Sequence, residues 1–280
     1  MNEAPTSAGT PAGRHFLSDI VREVRRVTAL GYYDYMPSPS VTLSLARPSL
    51  SAALRSVESS PAVILELKHS SPGYGDDAVP EMSASRFVRV ANAAGAQALS
   101  VIPQPEAFGG SLEEFAEVAR ATPLPVLFKD FVLSVEQMEA ARACGASAVL
   151  LLARLSLSLD MDLPLADMVE AAHRLGMEAV IEVHSSKEID LSLDARPDVI
   201  GVNARDLESL TVDAAGALAV FAELPHGTVP LVAMSGIRDP TAVQRYQRAG
   251  ADGILVGTAF LRNDDPESFV QSLRVEGTQP

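Results

Sequence analysis

The residues ACGASAVLL, 143–151, end an amphipathic stretch on a glycine and begin an apolar run within three residues. A glycine just past a helix end supplies the left-handed backbone that closes the last turn. A short run that is apolar at every position reads as a parallel strand covered on both faces. The same phrase recurs as AAGAQALSV (93–101), RLGMEAVIEV (174–183) and RAGADGILVG (248–257). This is one helix-to-strand unit, repeated. Working outward predicts strands near 62–67, 97–102, 125–128, 147–152, 178–183, 198–202, 229–234 and 253–257, with helices over segments such as 111–121, 134–144, 164–175 and 239–249. Eight strands each followed by a helix fit a closed barrel better than an open sheet.

The expected architecture is therefore α/β, a single (β/α)8 TIM barrel spanning 61–275. It is preceded by a disordered tail over 1–15 and by an N-terminal helical extension and connector over 16–60. Within that extension FLSDIVREVRRVTA, 16–29, reads as an amphipathic helix, and the Pro/Ser-rich piece 37–49 as a connector placed to act as a lid. The 280 residues suit one large domain, because barrels of this kind run to about 250 residues.

Composition narrows the function. No apolar run approaches the roughly 20 residues needed to span a bilayer, and no basic-then-apolar leader is seen, so the expectation is a cytoplasmic protein with no membrane partner. The net charge of −14 offers no basic stripe for nucleic acid. An anionic substrate has to meet a local positive site within a negative whole. The lone cysteine, Cys144, reads as a buried filler. Neither G-x-G-x-x-G nor G-x-x-x-x-G-K-[ST] occurs, which disfavours a dinucleotide fold or a P-loop.

Only three lysines occur, and two, Lys68 and Lys129, sit just past apolar runs in AVILELKHSSPG (62–73) and LPVLFKDF (124–131). A lysine in an apolar pocket can lower its pKa and exchange a proton, as an arginine cannot. Barrel chemistry lies at the C-terminal ends of the strands. Read in order, those ends carry Glu66 with Lys68, Lys129 with Asp130, Glu182, Asn203 with Arg205, Ser235 with Gly236, and Gly257 with Thr258. Two lysines and two glutamates in one mouth make an acid–base set. The glycine turns MSGIRD and LVGTAF suit an anion such as phosphate, because glycine lets backbone N–H groups approach closely. His69 and His184 read as solvent-facing loop histidines, Asp130 as a loop anchor and Lys187 as a solvated surface residue; no metal-binding spacing occurs.

Several blocks resemble the indole-3-glycerol phosphate synthase family: ILELKHSSPG, LSVIPQPEAFGGSLEEF, the KDF segment with the helix after it, LGMEAVIEVHS, IGVNARDLESLTVD, SGI and ILVGTAF. The resemblance implies a carbon–carbon lyase that closes and decarboxylates 1-(2-carboxyphenylamino)-1-deoxyribulose 5-phosphate, with loss of water. It implies no cofactor, and a phosphorylated small molecule as partner to a monomer or weak homodimer. By the resemblance Lys129 is the general acid, Glu182 handles the proton of dehydration and Lys68 is a second donor near the phosphate. Glu66 tunes the lysines, and Asn203 and Ser235 position the intermediate. Phe108 packs on the anthranilate ring, Ser71, Gly236, Gly257 and Thr258 contact the ligand, and Arg205 organises its loop or meets a carboxylate.

Three departures stand out. Met234 occupies a position where the family carries glutamate, Gln104 replaces a second carboxylate, and Gly73 replaces a serine. Fewer carboxylates predict lysines with lowered pKa values, or room for more negative charge on the ligand. They point to a specialised paralogue acting on a substituted anthranilate. The alternatives are another phosphate-binding barrel isomerase or lyase, and a catalytically weakened barrel serving as a binding subunit.

Overall fold

The computed structural model describes residues 16–34, 47–71, 79–158 and 160–274. The expected tail over 1–15, most of the connector over 37–49 and the Gly73 substitution lie outside the described residues. Eight parallel strands pair in sequence order and close on themselves: β1 (Ala62–Leu67), β2 (Ala98–Val101), β3 (Val126–Phe128), β4 (Ala148–Leu152), β5 (Glu178–Val183), β6 (Val199–Asn203), β7 (Leu231–Met234) and β8 (Gly253–Val256). Closure is the β1–β8 pairing, with Ala62 opposite Gly253 and Leu65 opposite Val256. The strand residues are buried except for Glu178, as runs apolar on both faces require.

Among the described residues, two helices precede the barrel, α1 (Phe16–Ala29) and α2 (Leu50–Arg55). The outer ring follows as α3 (Ala84–Ala94), α4 (Pro105–Phe108), α5 (Leu112–Ala121), α6 (Val135–Cys144), α7 (Ala153–Leu157) and α8 (Leu165–Arg174). It is completed by α9 (Ile189–Asp194), α10 (Ala214–Glu223), α11 (Pro240–Arg248), α12 (Thr258–Leu261) and α13 (Pro266–Ser272). Serines 83, 111 and 134 cap the starts of α3, α5 and α6. The glycines of the repeated phrase, Gly95, Gly145, Gly176 and Gly250, all have positive φ. Helices α4, α7 and α12 were not anticipated. Each is only four or five residues long, too short to display a helical period.

The extension is bound at both ends of the barrel. In α1, Leu17, Ile20, Val21, Val24 and Val27 form the buried stripe, each contributing on the order of 1.5–3 kcal/mol before ordering entropy is subtracted. At the N-terminal end of the barrel, Glu178 accepts from the Leu50 and Ser51 amides at 2.6 and 2.9 Å, so its charge also favours the start of α2. At the C-terminal end, Tyr32 donates to the Pro103 carbonyl and Tyr33 to Asp130 Oδ2, both at 2.7 Å. Asp130 anchors its loop as expected, accepting from the Phe131 amide at 2.8 Å, and the tyrosine is an additional tie. Burial raises the Asp130 carboxyl to about 6 even though both hydrogen bonds oppose it. Cys144 is a free, buried thiol, and burial pushes it up to about 12.

Candidate active site

The C-terminal mouth holds a cavity of about 540 Å³ whose walls come from all eight strands or the loops after them. Every residue expected to act, namely Glu66, Lys68, Ser71, Phe108, Lys129, Glu182, Asn203, Arg205, Ser235, Gly236, Gly257 and Thr258, lines it. The structure thus brings them to one place.

Glu66 and Lys68 leave β1 two residues apart and so project to the same side. Lys68 Nζ donates to Glu66 Oε1 at 2.6 Å, while Lys129 Nζ, from the end of β3, lies 3.4 Å from Glu66 Oε2. One buried carboxylate therefore serves two ammonium groups. Burial would raise the Glu66 carboxyl, but Lys129 and Lys68 together hold it below its usual range. Lys129 reverses the expectation of a lowered lysine pKa. Burial alone would lower it, yet Glu66 and then Glu182 raise it despite Arg205, leaving a secured cation. Gly257 makes this packing possible: a Cβ there would meet Glu66 Oε1 at 2.7 Å and Lys68 Nζ at 3.2 Å.

Across the mouth, Glu182 Oε1 accepts from Asn203 Nδ2 at 3.0 Å and lies 3.2 Å from His184 Nε2. Burial opposes ionisation, but His184, Lys129 and Asn203 bring the Glu182 carboxyl down to about 2. The Asn203 side chain also accepts from the Arg205 amide at 3.0 Å, and Arg205 Nη1 donates to the Leu210 carbonyl at 2.6 Å, tying together the loop after β6. At the ends of β7 and β8, Ser235 and Gly236 have consecutive positive φ values, 67° and 74°, and Ser71 Oγ lies 3.1 Å from Thr258 Oγ1. A non-glycine residue in that conformation carries about 1 kcal/mol or more of strain, a cost that clusters at functional sites.

Two expectations about the surroundings need correction. Neither histidine faces solvent freely: His69 Nε2 lies 2.8 and 2.9 Å from the two Glu114 oxygens, an ion pair that raises its pKa, and the His184 side chain is 3% exposed. In both cases a carboxylate on a neighbouring element captures the ring, which local sequence does not reveal. Gln104 does not line the cavity. It is fully buried and accepts from the Ala107 amide at 2.7 Å, so it caps α4 instead of replacing a pocket charge. Met234 does line the cavity, 1% exposed, and a Cβ on Gly201 would overlap its Cε; the thioether fills the space over that glycine.

Sequence reasoning missed the apolar lining. Phe131 stands 6.2 Å from Phe108 between ring centroids, and Phe16, the first residue of α1, reaches the cavity wall. The aromatic run KDF was a signal for Phe131. Nothing in the sequence around Phe16 marked it.

A closed parallel barrel with ionised lysines and carboxylates gathered at its C-terminal mouth defines an acid–base enzyme of the (β/α)8 class. Likeness to solved structures carries the fold: thiamine phosphate pyrophosphorylase from Pyrococcus furiosus superposes with a TM-score of 0.56 at 18% identity, covering 80% of this chain and 96% of that one. The N-acetylmannosamine-6-phosphate 2-epimerase of Clostridium perfringens does so at 0.58 and 14%, covering 79% and 95%. The chain belongs to the indole-3-glycerol phosphate synthase family, whose sequence profile matches residues 36–273. It is 41% identical over 222 residues to the indole-3-glycerol phosphate synthase of Beutenbergia cavernae, covering 78% of this chain and 79% of that one. To the Rhodococcus opacus protein of the same name it is 37% identical over 241 residues, covering 84% and 85%. Among the described residues, no helix is long and apolar enough to cross a membrane.

Proposed function

We propose that this lyase closes the ring of 1-(2-carboxyphenylamino)-1-deoxyribulose 5-phosphate, or of an analogue substituted on the aromatic ring, and releases CO₂ and water to leave an indole-3-glycerol phosphate. The observation that carries the reading is Lys129, an ammonium kept protonated between Glu66 and Glu182 inside a cavity with apolar walls. Ring closure joins a ring carbon to the ketone carbon, and the ketone oxygen must be protonated as that bond forms. Lys129 is the donor. Loss of CO₂ restores electrons to the ring, and the new hydroxyl then departs as water while a proton is taken up on the other side. Glu182 accepts that proton, and Lys68 assists the departing oxygen.

Glu66 orients both lysines, and Asn203 and Ser235 hold the intermediate. Phe108, with Phe131, packs on the aromatic ring. Ser71, Gly236, Gly257 and Thr258 hold the phosphate, with Arg205 bracing the loop beside them. Protonation, orientation and fixed charges are a sufficient set for this chemistry. We assign the catalytic unit to 61–275 and the protein to the cytoplasm, acting as a monomer or weak homodimer without nucleic-acid or membrane partners.

Met234 favours a substituted ring. It packs over Gly201 and turns the β7 wall from the expected carboxylate into thioether, which opens no charge-sized vacancy but suits an uncharged substituent. The test is turnover of the unsubstituted substrate followed by indole fluorescence, alongside ring-alkylated analogues, in the wild type and in Met234→Glu. Product from the wild type supports the lyase reading, and folded protein without product retires it. A preference for alkylated rings that Met234→Glu removes supports the specialised substrate; equal kcat/KM ratios in both proteins count against it.

A further inference from the structure

Glu182 is held by more than the cavity. Its Oε1 accepts from Asn203 and lies at ion-pair distance from His184 Nε2, which itself makes no hydrogen bond, whereas its Oε2 is buried without a hydrogen-bond partner in a residue that lines the cavity. A buried carboxylate with one hydrogen-bonded oxygen beside a cation and one open oxygen is set to take a proton on the open one. Asn203 supplies the hydrogen bond in that asymmetry and His184 the charge, 3.2 Å from the same oxygen. It follows Glu182 by two residues at the end of β5, and its Nδ1 lies 3.6 Å from Glu188 Oε2. Glu188, in the 3-10 turn Ser186–Glu188, is tied down in turn. It accepts from the His184 amide at 2.8 Å and from Ser185 Oγ at 3.1 Å, and Arg154 Nε from α7 stands 3.4 Å from its Oε1. Arg154 also reaches Asp206, in the loop after β6, at 3.4 Å.

Resting on the assignment of Glu182 as proton acceptor, we propose that His184 is the positioning residue of the reaction. Clamped from behind by Glu188, it holds Glu182 Oε1 and so delivers Oε2 to the substrate. Each ring nitrogen stands at ion-pair distance from a carboxylate without a hydrogen bond to it, surroundings that favour the imidazolium over the neutral ring by charge. The charged groups facing the ring are Glu182 from its own strand and Glu188 from the turn, with Arg154 and Asp206 behind. Lys129 faces Glu182 from the end of β3. Burial works against protonation of His184, and the two glutamates overcome it to raise the ring to about 9. The group is not arranged as a metal site: no cluster of three or more His, Cys, Asp or Glu among the described residues is placed to hold an ion.

The experiment measures kcat, KM and the pH profile of kcat for His184→Leu, His184→Gln, Glu188→Gln and Glu182→Gln in the full-length enzyme. A misplaced proton acceptor costs roughly 10- to 100-fold in rate, so His184→Leu should lose about that in kcat with little change in KM. Its acid limb should move to higher pH, because burial then raises Glu182 unopposed by the imidazolium. His184→Gln, which keeps an N–H donor, should recover part of the rate, and Glu188→Gln should shift the limb the same way by less. Should His184→Leu fail to fold, Glu188→Gln decides alone: an unmoved limb and unchanged kcat overturn the proposal. Glu182→Gln separates the two readings. If it retains activity, the assignment of Glu182 falls and this inference with it; if it is inactive while folded His184→Leu behaves as wild type, only the inference falls.

Discussion

The two sides of the cavity hold their charges in opposite arrangements. On the β1–β3 side one carboxylate, Glu66, stands between two ammonium groups, Lys68 and Lys129. On the β5 side one imidazole, His184, stands between two carboxylates, Glu182 and Glu188. Glu66 and Glu182 are equally buried, at 2% exposure, and both are held below the usual carboxylate range, so burial does not distinguish them. Their company does. The first side carries a surplus of protons and the second a surplus of acceptor charge, with Lys129 facing both. Cost teaches the same point: a buried charge persists only when opposite charges and hydrogen bonds repay its desolvation, so each side has to be built as a cluster.

Breaking the shared cation should have the largest effect. Lys129→Ala is expected to lower kcat by roughly 10²- to 10⁴-fold with a smaller change in KM, the range for loss of a positioned acid. An unchanged steady-state rate by indole fluorescence would remove Lys129 from the chemistry. Glu66→Gln attacks only the first side, and a cost of roughly 10- to 100-fold is expected from displaced lysines. Its sign in pH is specific. Without Glu66, burial of Lys129 is less opposed, its pKa falls, and the alkaline limb of kcat moves to lower pH; a limb that stays put would contradict the arrangement.

Stability against pH separates the sides more gently. His184 has a folded value of about 9 against 6.5 for the free group. Its contribution is therefore fully present below about 6.5 and is lost as pH rises through about 9. Lys129 is raised from 10.5, so its own contribution persists beyond that window. Thermal melts across pH 6–10 should decline in the wild type and decline less in His184→Gln; parallel curves would sink this account. The smallest effect concerns the frame. Tyr33→Phe removes the donor to buried Asp130, beside Lys129, and should cost about 1–3 kcal/mol in denaturant unfolding. A loss of rate larger than that of Glu66→Gln would mean that the extension, and not the lysine cluster, sets the geometry.

The barrel was legible because its signal is local and repeated. A glycine that ends a helix and an apolar run that follows it each depend on a few neighbouring residues, and the strands fell within a residue or two of expectation. The acid–base set was legible because polar residues at the ends of apolar strands have few reasons to be there. What surrounds those residues was not legible. Gln104 looked like a pocket group and is a helix cap; His184 looked exposed and is buried against Glu188. In each case the deciding partner is a backbone amide or carboxylate whose orientation only the folded chain supplies.

By itself the sequence determined the eightfold repeat, the face of the barrel that carries chemistry and the residue types available for it, because periodicity and strand polarity are properties of short segments. Tertiary structure decided how those types are charged. It set one carboxylate between two lysines and one histidine between two carboxylates, kept Lys129 protonated against its burial, and left a single oxygen of Glu182 open. Protonation in a buried site follows from distances of a few ångströms between strands far apart in the chain, and closing the barrel is what sets those distances.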